Sequence, residues 1–371
     1  MRHALKRFAA TSLVCAMLAG LAPASAADDD WRKEWADTIA RAKGQSLVLS
    51  VHAIDGHAET VQEFQRRFPD IKVETTLILP SAMSSRVVTE QRNGIYGWDV
   101  WWALTGNMID TVLPAGGLDK LTDYFILPEV KDPANWNAPQ ILWASEKGPY
   151  AFVHTPFVDS AYYYNPGVVK GLTIDTFDKL LDPRLKGQIV IRNPAQANVG
   201  SFALSGMLRQ KGPEFVTKLL GDMDAQFLDN PRQISDAVIR GDKALAIGGN
   251  GDNFTQCYSA GGCKNIVRLP FSGYAGARGV SVFKNAPHKD AAKVFVNWLL
   301  SKEGQEAYVR IFSPLNTVGG FSLRKDVKPD PKHLASVPDY DHLDEYAIMG
   351  TDNGSKYLNQ VISIYKKIRD R

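Results

Sequence analysis

Cysteine is scarce in this chain, with three in 371 residues. Only Cys257 and Cys263 lie beyond the N-terminal segment. Two thiols exclude a disulfide-dense scaffold, and they offer too few ligands for a zinc site. After about Ala22 no uncharged run reaches the length of a transmembrane helix. There is no low-complexity tract and no internal repeat. The signatures of common catalytic sites are missing too: no G-x-S-x-G elbow, no H-E-x-x-H helix, no EF-hand loop. No glycine-rich loop ends in the GK[ST] of a nucleotide site. A nucleophile placed beside a base cannot be nominated.

What is present starts at the N-terminus. Arg2, Lys6 and Arg7 precede an uncharged, mostly apolar run from Phe8 to about Ala22, and Pro23-Ala24-Ser25-Ala26 follows. That is the form of a secretory signal peptide, with cleavage expected after Ala26 and a periplasmic mature protein. A membrane anchor is the competing reading. A lipoprotein would use Cys15, but Val14 before it is too bulky for the usual attachment signal. Removal of residues 1–26 takes three of the 43 Lys and Arg and none of the 40 Asp and Glu. The neutral mature chain then gives no electrostatic case for nucleic acid or an anionic membrane. In an oxidising compartment Cys257 and Cys263 read as a local disulfide, worth about 2 kcal/mol in the chain-entropy model. Two free thiols in a core are the alternative.

Strand and helix patterns alternate along the mature chain. A helix is expected over Trp31–Ala42, strands over Ser46–Val51, Ile71–Thr75 and Trp98–Ala103, and helices over Ala58–Phe68 and from Ser81, as cap, to about Asn93. Prolines and Gly148 punctuate a looser stretch from Leu121 to Pro149, and Tyr150–Tyr164 is extended. A second set follows: strands Gln188–Arg192, Ala244–Gly248, Asn265–Leu269 and Gly279–Lys284, with helices from Val199 and Pro231. Helices Lys289–Leu300, Lys302–Ile311 and Gly354–Arg369 complete it. Such alternation predicts an α/β chain in two lobes, with the small-ligand site in the cleft between them.

Several ordered segments resemble the extracellular solute-binding protein family whose best-known members carry ferric iron. They are Phe64-Gln-Arg-Arg-Phe-Pro-Asp-Ile-Lys-Val-Glu74, Glu90-Gln91 with Asp99-Val100, Tyr163-Tyr164-Asn165-Pro166, Leu299-Leu300-Ser301-Lys302-Glu303-Gly304-Gln305 and Pro314-Leu315-Asn316. The resemblance implies a type II periplasmic-binding fold, with two lobes joined by crossover strands that close on a solute. It also implies a soluble monomer handing a small molecule to an ABC permease in the inner membrane, with no cofactor and no catalysis. The expected division is 27–150 with 276–325 in lobe 1, and 151–275 with 326–371 in lobe 2. Iron-binding members carry an adjacent tyrosine pair after the strand that here is Ala244–Gly248, where this chain has Gly249-Asn250-Gly251-Asp252-Asn253. Ferric iron prefers anionic oxygen donors that amides do not replace, which argues for a small organic solute, anionic in character, over a metal. Ferric-iron transport, a two-lobe periplasmic enzyme and a ligand sensor remain as alternatives.

The candidate ligand residues follow from these loops. Arg278, just before the strand Gly279–Lys284, is placed to hold a carboxylate or phosphate bidentately, against the alternative of an ordinary salt bridge. Arg192 is a ligand candidate at the strand end that leads into the loop 193–201. Gly200 and Ser201 open a helix whose N–H groups suit an anionic oxygen, in competition with plain capping by Asn198. Asn250, Asp252 and Asn253 lie on the Gly248–Asn253 loop, whose glycines allow close backbone approach, with Asp252 as helix cap in the competing account. Asp55 and Thr105 sit on the first-lobe loops, and Tyr163 or Tyr164 is available to stack on the solute.

Overall fold

The computed structural model describes residues 26–54, 56–158, 161–249, 251–314, 320–331 and 340–370. The leader expected over 1–26 lies outside them, apart from Ala26. The first lobe opens with α1 (Ala26–Ala42), β1 (Ser46–His52), α2 (His57–Arg67), β2 (Lys72–Ile78), α3 (Pro80–Arg92) and β3 (Val100–Leu104). The apolar run of β1 buries Leu47, Leu49 and Val51 completely. Val61 and Phe64 lie on the buried face of α2. The expected Ser81 cap is corrected: Leu79 is the N-cap and Pro80 the first helical residue, where its fixed φ suits a helix start. After β3 the chain makes a single π-turn, Met108–Val112, in place of a regular helix.

A short helix α4 (Pro128–Lys131) and several 3-10 turns lead to β4 (Phe152–Val158). The second lobe holds β5 (Tyr162–Tyr164), β6 (Ile189–Arg192), α5 (Val199–Gly221), β7 (Gln226–Leu228), α6 (Pro231–Ile239), β8 (Leu245–Ile247), α7 (Gly251–Ser259) and β9 (Val267–Arg268). The chain then returns through β10 (Tyr274–Val282), α8 (Lys289–Leu300), α9 (Lys302–Phe312), β11 (Ala347–Met349) and α10 (Asp352–Arg369).

Two sheets result. One runs β11-β10-β3-β1-β2 with β4 also on β10, and the other runs β7-β6-β8-β5-β9. The extended stretch Tyr150–Tyr164 is thus two strands in different sheets, and it forms the first crossover. The step from β9 to β10 is the second. A third follows β11: α10 packs along α5 and puts Val361 and Tyr365 into the second core. Val327 and Leu343 pack in the first core instead, although the sequence division assigned 326–371 to lobe 2. β10 begins at Tyr274, earlier than the expected Gly279. Arg278 therefore lies in mid-strand, paired with Leu104 on one side and Thr155 on the other.

Candidate functional site

In both sheets the parallel strands end toward the same region. β1 and β3 stop at His52 and Leu104, and β6 and β8 stop at Arg192 and Ile247. In open α/β sheets this carboxyl edge is where ligands bind.

On the second lobe, Arg192 terminates β6 and is half-buried. Its guanidinium has no hydrogen-bond or ion-pair partner among the described residues. Loss of water lowers its pKa, and the more distant Asp229 charge opposes that shift. Gly248, at φ +81°, follows β8. A Cβ there would lie 2.6 Å from the Gly200 nitrogen and 3.0 Å from Arg192 Cβ. Glycine is thus what lets the β8 loop, the α5 start and Arg192 close together.

The α5 N-terminus is already occupied by its own cap. Asn198 Oδ1 accepts from the Gly200 and Ser201 nitrogens at 2.9 and 3.2 Å, and Ser201 Oγ accepts from the Asn198 nitrogen at 2.9 Å. Ser201 is fully buried. The reading of Gly200 and Ser201 as free donors is therefore corrected to the capping alternative: both N–H groups are satisfied within the chain. Tyr163 stacks on Phe254, ring centroids 3.8 Å apart, below Gly251 at the start of α7. Tyr164 points into the core, its hydroxyl donating to the Val169 carbonyl at 2.8 Å. Asn253 lies half-buried in the first turn of α7. Asn250 and Asp55 fall outside the described residues, and so does the Asp252 side chain.

On the first lobe Thr105 is fully buried. Its hydroxyl donates to the Gly350 carbonyl, with the Ala277 carbonyl 3.3 Å away, so it ties β3 to the chain after β11. Arg278 is 6 % exposed and lies between two rings, its Cζ 4.3 Å from the Phe157 centroid and 4.8 Å from that of Phe312. Cation–π contact of this kind favours a desolvated guanidinium. Burial, and secondly the Arg278 charge, hold His52 down to about 4 and His154 down to about 3. The same two causes push the fully buried His57 well below the ordinary range. His154 Nε2 accepts from Trp102 Nε1 at 2.8 Å. Its proton is thus on Nδ1, facing Thr155 Oγ1 at 2.9 Å.

Between these walls lies a cavity of about 270 Å³. Leu104, Gly106, Asn107 and Asp110 come to it from the first lobe, Ala197, Val199 and Phe202 from the second, and Phe157, Tyr274, Met349 and Leu358 from the crossovers and the tail helix. None of the residues nominated from sequence lines it. Thr105 precedes Gly106 directly, and Arg192 backs onto the helix that carries Val199. Phe157 links the two regions, since it lines the cavity and also covers Arg278. Away from the cleft, Cys257 and Cys263 form the expected disulfide across the end of α7.

Comparison with known proteins places this geometry. The structure matches iron-bound HitA from Pseudomonas aeruginosa at a TM-score of 0.61 and 20% identity, covering 87% of this chain and 99% of that one. It matches the ferric iron-binding protein A of Mannheimia haemolytica, in an open conformation, at 0.63 and 15%, covering 88% and 98%. Periplasmic AfuA from Actinobacillus pleuropneumoniae, with fructose-6-phosphate bound, gives 0.56 and 20%, covering 87% and 99%. These likenesses bear out the two-lobe, type II periplasmic-binding fold expected from the sequence. An uncharacterized protein of Haemophilus influenzae is 32% identical over 130 residues. That match spans 34% of this chain and 37% of the relative's length. The family model for bacterial extracellular solute-binding proteins matches residues 59–335, and the chain belongs to that family.

Proposed function

We propose that this protein is the periplasmic solute-binding subunit of an ABC importer, exported with cleavage after Ala26, and that it holds a small anionic organic solute between its lobes. One observation carries the anionic part of this reading: Arg192, a half-buried guanidinium without a partner among the described residues, stands at the carboxyl edge of the second sheet. A carboxylate or phosphate that replaces its lost water gains a bidentate, charge-assisted contact. Lobe closure follows because a solute touching both walls stabilises the closed arrangement by its differential contacts. The delivered solute then passes to an inner-membrane permease, and no chemical step is required of the protein.

Two of the three β5 tyrosines favour an organic solute over iron, and Tyr163, stacked on Phe254, is a single phenol where a ferric site needs more anionic donors. Tyr162 and Tyr164 donate their hydroxyls to backbone carbonyls, and burial holds both phenols above their ordinary pKa. A phenol so held is a poor source of the phenolate that a ferric site needs. AfuA binds fructose-6-phosphate with the same fold, so a phosphorylated or carboxylated organic solute fits this architecture.

The experiment is a thermal-shift panel on protein from Ala27 onward, unfolded and refolded to strip carried ligand. Ferric citrate, organic acids, sugar phosphates, phosphonates, amino acids and polyamines are compared. A ligand at a hundredfold its Kd adds about 2.7 kcal/mol. Stabilisation by an organic anion supports the reading, whereas stabilisation by ferric iron alone overturns it.

A further inference from the structure

The cavity between the lobes has a chemistry that Arg192 does not explain. Leu104, Val199, Phe202, Tyr274, Met349 and Leu358 give it an apolar wall, and Asp110 is the one charged side chain on that wall among the described residues. Asp110 stands at the rim. It faces solvent on one side and accepts from the Ser355 hydroxyl on the other, at 3.0 and 3.1 Å. No cation pairs with it among the described residues. Its carboxyl titrates above the usual range, first because the protein strips water from its inner side. The Ser355 hydrogen bond pulls the other way, Asp352 adds repulsion, and Lys147 partly offsets it.

Three solute chemistries can be set against this wall. A bare metal ion leaves the apolar surface without a partner. A polyhydroxylated sugar finds side-chain partners at Asn107, Asp110 and Ser355 on this wall, and its other hydroxyls lose water against Leu, Val, Phe and Met. A hydrocarbon body suits the wall, and an ammonium group at its end meets the unpaired carboxylate of Asp110, which has accepting positions beyond the one Ser355 fills. Arg192 does not itself line the cavity, but its Cβ sits 2.8 Å from where a Cβ on Gly200 would be. The adjoining Val199 does line it, so the Arg192 side chain starts beside the cavity's second-lobe edge.

We propose that the solute is a zwitterion with an apolar middle: an acid group at Arg192, a hydrocarbon body in the cavity between the lobes, and an ammonium group at Asp110. This rests on the reading above that an anionic solute binds between the lobes, and it adds the body and the second charge.

The test compares aminohexanoate with a terminal amine, hexanoate and hexylamine, together with their four-carbon counterparts, by calorimetry on refolded protein. Wild type, Asp110→Asn and Arg192→Ala are measured, with melting temperatures to show that each is folded. The expected result is that an aminoalkanoate binds about five- to tenfold tighter than its alkanoate, a size in keeping with a partly screened charge pair. Asp110→Asn, which keeps the shape and removes the charge, abolishes that advantage, so that aminoalkanoate and alkanoate bind the variant with equal affinity. Equal binding of alkanoate and aminoalkanoate to the wild type overturns the zwitterion, while a loss of both in Arg192→Ala still supports the anion site. Hexylamine binding as tightly as aminohexanoate, with no effect of Arg192→Ala, overturns the anionic reading itself. Absence of binding by every acid to folded protein overturns the proposal outright.

Discussion

Ser355, in the first turn of α10, donates its hydroxyl to Asp110 at the rim of the interlobe cavity. α10 packs along α5 of the second lobe, so this contact joins a second-lobe helix to the loop that follows β3 of the first. The neighbouring Asp352 reaches the first lobe as well, accepting from Ser145 Oγ at 3.0 Å and the Glu146 nitrogen at 2.9 Å. Any change in the separation of the lobes is therefore felt at the start of α10.

The buried histidines predict acid sensitivity. His52, His57 and His154 all titrate below the ordinary imidazole range, through burial first and the Arg278 charge second. Between pH 6.5 and the folded values, the unfolded chain binds more protons than the folded one. Stability therefore falls as pH drops from about 6.5 through the values of about 4 for His52 and about 3 for His154. The melting temperature should decline steeply over that window. His154→Gln should give a shallower decline, at a cost of about 1–3 kcal/mol near neutrality from imperfect pairing with Trp102 and Thr155. A flat profile for the wild type down to pH 4 contradicts the account.

Gly248 predicts a joint loss of stability and binding. Its φ of +81° and the 2.6 Å approach of a Cβ to the Gly200 nitrogen leave no room for a side chain. Gly248→Ala should destabilise by about 2–4 kcal/mol and weaken solute binding, because α5 and Arg192 must shift together. Denaturant unfolding and calorimetry on the same preparation check both parts.

The disulfide predicts stability without binding. Cys257 and Cys263 lie at the end of α7 remote from its Gly251 start. Replacing both by Ser should cost about 2 kcal/mol, lower the melting temperature by about 2–4 °C, and leave solute affinity within about twofold. A large loss of affinity would place the α7 end in the site.

Much of the fold was legible because its strongest elements carry undiluted patterns. Lys289–Leu300 begins and ends where its apolar spacing says, and Ser46–His52 extends the expected strand by one residue. β10 was read short because Tyr274-Ala-Gly-Ala-Arg-Gly279 is rich in Gly and Ala. Those residues give no strand signal, yet Gly276 and Gly279 are needed where the Phe157 ring and the Phe152 carbonyl press against the strand. β7 and β11 have three residues each and take their pairing from neighbours. α7 was hidden by the glycines and amides that open it. The site was legible only in part. Arg192 was nominated from its strand end, whereas Asp110, Phe157, Met349 and Leu358 meet only after three chain crossings that no local pattern announces. Thr105 and Ser201 show the opposite case: the Thr105 hydroxyl is taken up by a backbone carbonyl, and the Ser201 N–H by the Asn198 cap.

Native mass spectrometry of protein purified from the periplasm without refolding, with identification of whatever it releases on denaturation, tests the central claim most directly. The account predicts a small organic anion bound one to one in the wild type and lost from Arg192→Ala. Release of ferric iron, or the same adduct retained by the variant, would contradict it.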